Sequence, residues 1–199
     1  VTSKSQCLNY FKVSIGYDGI HCKGINNDST LYVWGYNAYG QLGDSTQIDR
    51  LAPKKVNFPG KWIDVCSGDE HSLGITNDGK LWSWGRNEYG ELGIPKFGVS
   101  MPTRVGTGTH WVSISAGRYT SYGITSDGKL WAWGLNSYGQ LGDSTLVDKA
   151  APVQIGTATN WKTVVAGQYH TVAITTDGKL WAWGRNDLGQ LGDGSNTNR

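Results

Sequence analysis

Cysteine, methionine and proline are scarce in this 199-residue chain, at 3, 1 and 5 residues. Cys7, Cys22 and Cys66 are odd in number and none belongs to a C-x-x-C pair. Neither a disulfide framework nor a zinc ribbon is indicated, and the redox compartment stays open. Excess charge is also lacking: 18 Lys plus Arg against 16 Asp plus Glu leave +2. That field is too weak for phosphate neutralisation to dominate binding, which argues against a nucleic-acid partner. No apolar run approaches the ~20 residues that span a bilayer, and no basic start followed by an apolar stretch marks a signal peptide. The expectation is a soluble chain with no membrane insertion. What is abundant is glycine, with 29 residues, and tryptophan, with 10. Glycine costs a helix roughly 1 kcal/mol per residue, so such a share points to strands and many turns.

The tryptophans are periodic. Trp34, Trp84, Trp133 and Trp183 each open the string W-G-x-N-x-x-G-x-L-G, at steps of 50, 49 and 50 residues. Trp82, Trp131 and Trp181 stand two residues earlier in three copies, with Tyr32 in the first. Trp62, Trp111 and Trp161 follow Pro53, Pro102 and Pro152 by nine residues. Each unit reads as short strands. In the fourth copy, Trp161 to Ala166 is an apolar run, His170 to Thr175 alternates, and Thr176-Asp177-Gly178-Lys179 makes a tight hairpin into Leu180 to Trp183. Asp78-Gly79 and Asp127-Gly128 repeat that turn, whereas Asn27-Asp28-Ser29-Thr30 in the first copy predicts a looser bend. An edge strand begun by Pro53, Pro102 or Pro152, and containing Val56, Val105 or Ile155, completes the unit, since proline suits an outer edge. Four short antiparallel strands every ~40 to 50 residues are the mark of a β-propeller blade.

These strings, preceded by G-x-x-H-x-x-x-I-T and D-G-K-L-W-x-W-G, closely resemble the repeat of the regulator of chromosome condensation family over about residues 11 to 199. The resemblance implies an all-β fold of β-propeller blades, each of four antiparallel strands. It further implies about four blades of a seven-bladed ring, hence a partial propeller. Residues 1–10 are read as an N-terminal segment and the blades as 11–56, 57–105, 106–155 and 156–199. The repeat wording is nearer to bacterial and bacteriophage members than to the eukaryotic nuclear protein. Three departures stand out. Asp18 replaces the Gly68, Gly117 and Gly167 of other copies; Thr120 replaces the histidine at 21, 71 and 170; and Ile94-Pro95 replaces the aspartate at 44, 143 and 193. The next edge proline is due at 202, past Arg199, so the fourth blade is expected to lack its outer strand. The favoured reading is a segment of a longer polypeptide that supplies further blades. Association of copies into a ring, or a strand from residues 1–10, are the alternatives.

Candidate sites have bland counterparts. The indoles are read as wedges between blades in preference to a ligand cage. A shared metal at His21, His71 and His170 conflicts with the ~10 Å spacing of packed sheets, so hydrogen bonds within each blade are expected. Cys22 and Cys66 align with Ser72 and Ser115, as small packed side chains. The Gly-Asp-Ser-Thr loops at 43–46 and 142–145 are read as turn chemistry before calcium. Gly74 to Lys80 and Gly123 to Lys129 mimic a phosphate loop but lack the following Ser or Thr and bracket a hairpin. No nucleophile elbow or H-E-x-x-H pair is present, and Asn27-Asp28-Ser29 is a glycosylation sequon only in a secretory setting.

The resulting expectation is a non-enzymatic scaffold without cofactor that binds a protein or glycan, as a structural and attachment module at a cell surface or virion. Core strings are nearly copied between repeats while the loops differ, so recognition is assigned to the loops. The candidate residues are Gln47, Ile48, Asp49 and Arg50; Lys96 and Phe97; and Leu146, Asp148 and Lys149. The alternative, implied by the family's best-known member, is nucleotide exchange on a small GTPase.

Overall fold

In the computed structural model, which describes residues 9–108 and 110–199, fifteen strands form four antiparallel sheets and no described residue is helical. The first blade holds β1 (Tyr10–Ile15), β2 (His21–Asn26), β3 (Leu31–Gly35) and β4 (Arg50–Lys55) in that order. The second holds β5 (Trp62–Ser67), β6 (His71–Thr76), β7 (Leu81–Arg86) and β8 (Gly98–Arg104). The third holds β9 (Trp111–Ala116), β10 (Thr120–Thr125), β11 (Leu130–Gly134) and β12 (Lys149–Gln154). The fourth has three strands, β13 (Trp161–Ala166), β14 (His170–Thr175) and β15 (Leu180–Gly184). The leading strands β1, β5, β9 and β13 pack on one another in succession, so they line the axis and β4, β8 and β12 form the outer edge. The chain is a partial propeller.

The turns follow from local chemistry. Gly79, Gly128 and Gly178 take positive φ of 72°, 75° and 83°, which Asp-Gly hairpins require. The first copy does not loosen as expected. Ser29 adopts φ 68° and donates its N–H to the Asn26 carbonyl at 2.9 Å, as Gly79 does to Thr76, so serine holds the same turn in the left-handed region. Nor does Asp18 replace the inner-turn glycine. Gly16 donates to the His21 carbonyl at 2.8 Å as Gly68 does to His71 at 2.9 Å, and a Cβ on either glycine would meet the histidine ring at 2.4 Å or less. The first turn is two residues longer, which is why alignment by equal spacing misplaced it. The outer strands also start before their prolines, and Val56, Val105 and Ile155 lie just beyond them as buried plugs.

Successive blades meet through unlike faces. Ile25, Leu31, Val33 and Leu42 of the first blade receive Trp62, Val65 and Trp84 of the second. Leu73, Ile75, Leu81 and Leu92 receive Trp111, Ile114 and Trp133, and Tyr122, Ile124, Leu130 and Leu141 receive Trp161, Val164 and Trp183. A middle strand covered on both sides is buried throughout, as β6 is, whereas β14 alternates. Polar bonds fix the register. The indoles of Trp84, Trp133 and Trp183 donate to the carbonyls of Gln41, Glu91 and Gln140 in the preceding blade at 2.9, 2.9 and 2.7 Å. The hydroxyls of Ser72, Ser121 and Thr171 reach the same three carbonyls. A Cβ on Gly43, Gly93 or Gly142 would sit 2.7 to 3.0 Å from that indole nitrogen, so the closing glycine of each string is the floor of the next blade's tryptophan. Gly24, Gly74 and Gly123 make a second pit, for Tyr10, Trp62 and Trp111. Val13 is 64% exposed where its counterpart Val65 is buried, and Leu180 is 68% exposed where Leu31, Leu81 and Leu130 are buried.

The histidines differ from expectation. His71 bonds across the blade boundary, Nε2 to Ser121 Oγ at 2.9 Å, and not within its own sheet. His21 is fully buried with neither ring nitrogen bonded among the described residues. Beside it lies Lys23, fully buried where the sister blades carry Leu73 and Tyr122, its Nζ donating to Ser67 Oγ at 2.8 Å. Burial pulls the Lys23 amine down to about 7, and it pulls His21 and His71 to about 2 and 3, helped by their mutual repulsion with Lys23.

Two outcomes are expected. Trp133→Ala should lose about 3 to 5 kcal/mol in urea unfolding, from the cavity and the broken bond to Glu91; a native-like midpoint contradicts the packing. Between about 7 and 10.5 the unfolded chain binds the Lys23 proton more readily than the folded one, so stability rises with pH in that window. Lys23→Leu should flatten that rise between pH 7 and 9 and add about 1 to 4 kcal/mol at pH 7. An unchanged slope in thermal melts would refute the assignment.

Candidate protein-binding face

Antiparallel order puts the β1–β2 turns and the long β3–β4 loops at one end of every sheet, and the Asp-Gly turns at the other. The loop end is built around the string asparagines. Asn37, Asn87 and Asn136 are buried, and each accepts the N–H of the string leucine through Oδ1 at 2.8 to 3.0 Å. Their Nδ2 groups hold the loop carbonyls, Thr46 and Ile48 in the first blade and Thr145 and Val147 in the third. An ion pair then locks the loop base, Asp44 to Arg50 at 2.5 Å and Asp143 to Lys149 at 3.1 Å. Ile94 and Val99 stand at those places in the second blade, whose Asn87 holds Ile94 and Lys96.

The nine residues assigned from sequence divide on this scaffold. Arg50 and Lys149 are the loop-locking cations, and Asp49 and Asp148 accept the backbone N–H of Asn37 and Asn136 at 2.8 and 2.7 Å. Gln47, Ile48, Lys96, Phe97 and Leu146 point outward, and Phe97 is fully exposed. Phe97 divides two grooves. One, of about 520 Å³, runs past Tyr39, Gln47, Arg86 and Met101; the other, of about 440 Å³, past Tyr89, Pro95 and Ala150.

Closer to the axis lies a ladder that sequence reading missed. Arg86 sits over Tyr39 at 5.0 Å and Tyr119 at 5.7 Å; Arg118 over Tyr119 at 5.1 Å and Tyr169 at 5.8 Å; Arg185 over Tyr138 at 5.3 Å and Tyr169 at 5.8 Å. Tyr89 packs on Tyr119 and Tyr138 on Tyr169 at 5.0 and 5.1 Å. Carboxylates pin the guanidiniums: Glu70 and Glu88 on Arg86, Asp69 on Arg118 at 3.2 Å, Asp187 on Arg185 at 2.5 Å. Burial raises the Asp69 carboxyl, with Asp18 and Glu70 adding repulsion that Arg118 only partly offsets. The signal was available in the tyrosine at the sixth place of three strings and in the Arg118-Tyr119 and Gln168-Tyr169 doublets. Nothing in the spacing said that residues some fifty apart would interleave. Stacked, pre-ordered Tyr and Arg side chains are the chemistry of protein-binding hot spots, since little side-chain entropy remains to be lost.

Comparison with known proteins agrees with this architecture. The Regulator of chromosome condensation (RCC1) repeat matches residues 28–75, 78–124 and 127–174. Among curated relatives, the Ultraviolet-B receptor UVR8 of Arabidopsis thaliana is 36% identical over 55 residues, 27% of this chain and 12% of that protein. The RCC1-like G exchanging factor-like protein of Mus musculus is 36% identical over 53 residues, 27% of this chain and 12% of its own length. Among solved structures, yeast RCC1 (Prp20) bound to Kap60 superposes with a TM-score of 0.86 at 22% identity, covering 98% of this chain and 48% of that one. Human WBSCR16 does so at 0.86 and 25% identity, covering 99% and 53%. The chain thus spans about half the length of those propellers and 12% of the curated relatives named here. Three matched copies over blades whose strings, pits and turns repeat residue by residue place the chain in the Regulator of chromosome condensation (RCC1) repeat family.

Proposed function

We propose that this chain is a non-enzymatic scaffold that binds a protein partner through the loop end of its blades, with the Tyr–Arg ladder at the centre and Phe97 at the rim. The observation that carries the reading is the threefold stacking of Arg86, Arg118 and Arg185 between tyrosines on one face. Support by likeness comes from a yeast Prp20p structure described with its binding properties to Gsp1p and histones. A bacterial or bacteriophage surface, with attachment to a protein or glycan there, is the setting we infer from the repeat wording. Further blades from a longer chain or another copy belong to the same proposal. A second reading is regulation of a small GTPase, favoured by the 36% identity over 53 residues to a protein named as G exchanging factor-like.

The test is affinity capture followed by titration of the captured protein against variants. Arg118→Glu with Tyr119→Ala should weaken binding about 30-fold or more, the loss of at least one hot spot, and Phe97→Ala by less. Undiminished binding by the double variant would refute the ladder as the contact. Acceleration of nucleotide release from a captured GTPase would decide for the second reading.

A further inference from the structure

The opposite end of the blades carries the Asp-Gly turns, and there the second and third blades differ in one respect. In the second, Phe58 lies between two indoles, with ring centroids 4.6 Å from Trp62 and 4.7 Å from Trp82, tilted on the first and edge-on to the second. Trp82 is oriented by its Nε1–H donating to Thr76 Oγ1 at 3.0 Å. The third blade carries the same indole and threonine positions, with the two indoles in contact with each other. Trp131 donates to Thr125 Oγ1 at 3.3 Å, and Trp111 lies edge-to-face with it at 6.1 Å. The residue four before Trp111 is Thr107, where Phe58 stands four before Trp62, and its neighbours are Gly106 and Gly108. None of the three residues 106–108 supplies a phenyl ring in the place of Phe58. A pocket of about 420 Å³ is left, lined by Gly108, His110, Trp111, Asp127, Trp131 and Pro152.

We propose that this pocket binds an aromatic side chain of a partner peptide, in a Phe-Pro turn like the chain's own Asn57-Phe58-Pro59-Gly60. The chain itself shows the fit, because the equivalent indole pair already holds a phenyl ring in the geometry that aromatic quadrupoles favour. A ring seated as Phe58 is would tilt onto Trp111 and meet Trp131 edge-on. Thr125 and Asp127 are engaged with each other at 2.6 Å and Asp127 with Lys129 at 2.7 Å, so the pocket's polar rim is internally satisfied and leaves the apolar wall as the recognising surface. The site lies at the other end of the blades from the Tyr–Arg ladder and does not depend on it.

The test is NMR of the 15N-labelled chain, titrated with the capped peptide acetyl-Asn-Phe-Pro-Gly-amide and, separately, with methyl glucoside as a pyranose. The peptide should shift the Trp111 and Trp131 indole resonances saturably, with Kd about 1 mM as suits a single ring. Thr107→Phe, an exposed position that refills the pocket from within, should weaken this at least tenfold while leaving the spectrum otherwise native. Phe58→Ala should open a second site, seen as peptide-dependent shifts of Trp62 and Trp82. The proposal is overturned if the peptide leaves Trp111 and Trp131 unmoved at 10 mM, if Thr107→Phe binds as well as the native chain, or if the pyranose alone shifts them, which would make the pocket a glycan site.

Discussion

The fold depends on one contact made three times: an indole lying on the closing glycine of the preceding blade and donating its N–H to the carbonyl two residues before that glycine. A four-stranded sheet has two faces and almost no interior, so it is stable only when both are covered. The glycine makes room, the indole supplies area, and the single hydrogen bond pairs the N–H of that indole. Each blade thereby presents an aliphatic row to its successor and an indole face to its predecessor. The interface is heterologous and repeats in one direction, which fixes the order of the blades.

That rigidity extends to the loop end of the blades. The string asparagine spends its amide on loop carbonyls and its oxygen on the string leucine, so the loops are tied to the strands that form the blade interface. Aspartate–cation pairs at the loop base do the same outward. Side chains left over from these duties, Ile48, Phe97 and Leu146 at the rim and the stacked arginines near the axis, are held in place by structure that does not need them. At this end Asp69, Glu70, Glu88 and Asp187 are each paired with an arginine of the ladder.

Much of the fold was legible because its signal is local and repeated. The fifty-residue period, the Asp-Gly turns and the alternating strands all rest on neighbours in the chain. The failures have two causes, one local and one long-range. Gly16 was missed because its turn is two residues longer; Ser29 was read as a loose bend because serine seldom takes positive φ. The cross-blade bond of His71 and the buried amine of Lys23 depend on a neighbour fifty or forty-four residues away. The candidate site was legible only in part. Loop variability selected Phe97, which is fully exposed, together with Asp49, Arg50, Asp148 and Lys149, whose charged groups bond within the loops. The Tyr–Arg ladder was hidden because Tyr39, Tyr89 and Tyr138 occupy string places that looked unconstrained, while Tyr119 and Tyr169 come from the inner turns of other blades.

The most direct measurement of the central contact is native-state hydrogen exchange at the indole N–H groups. The three donors to the preceding blade, Trp84, Trp133 and Trp183, should exchange only through unfolding that separates blades. The half-exposed Trp181 should exchange many orders of magnitude faster. If Trp84 and Trp133 exchanged as quickly as Trp181, the indole-to-carbonyl bond would not be what joins the blades.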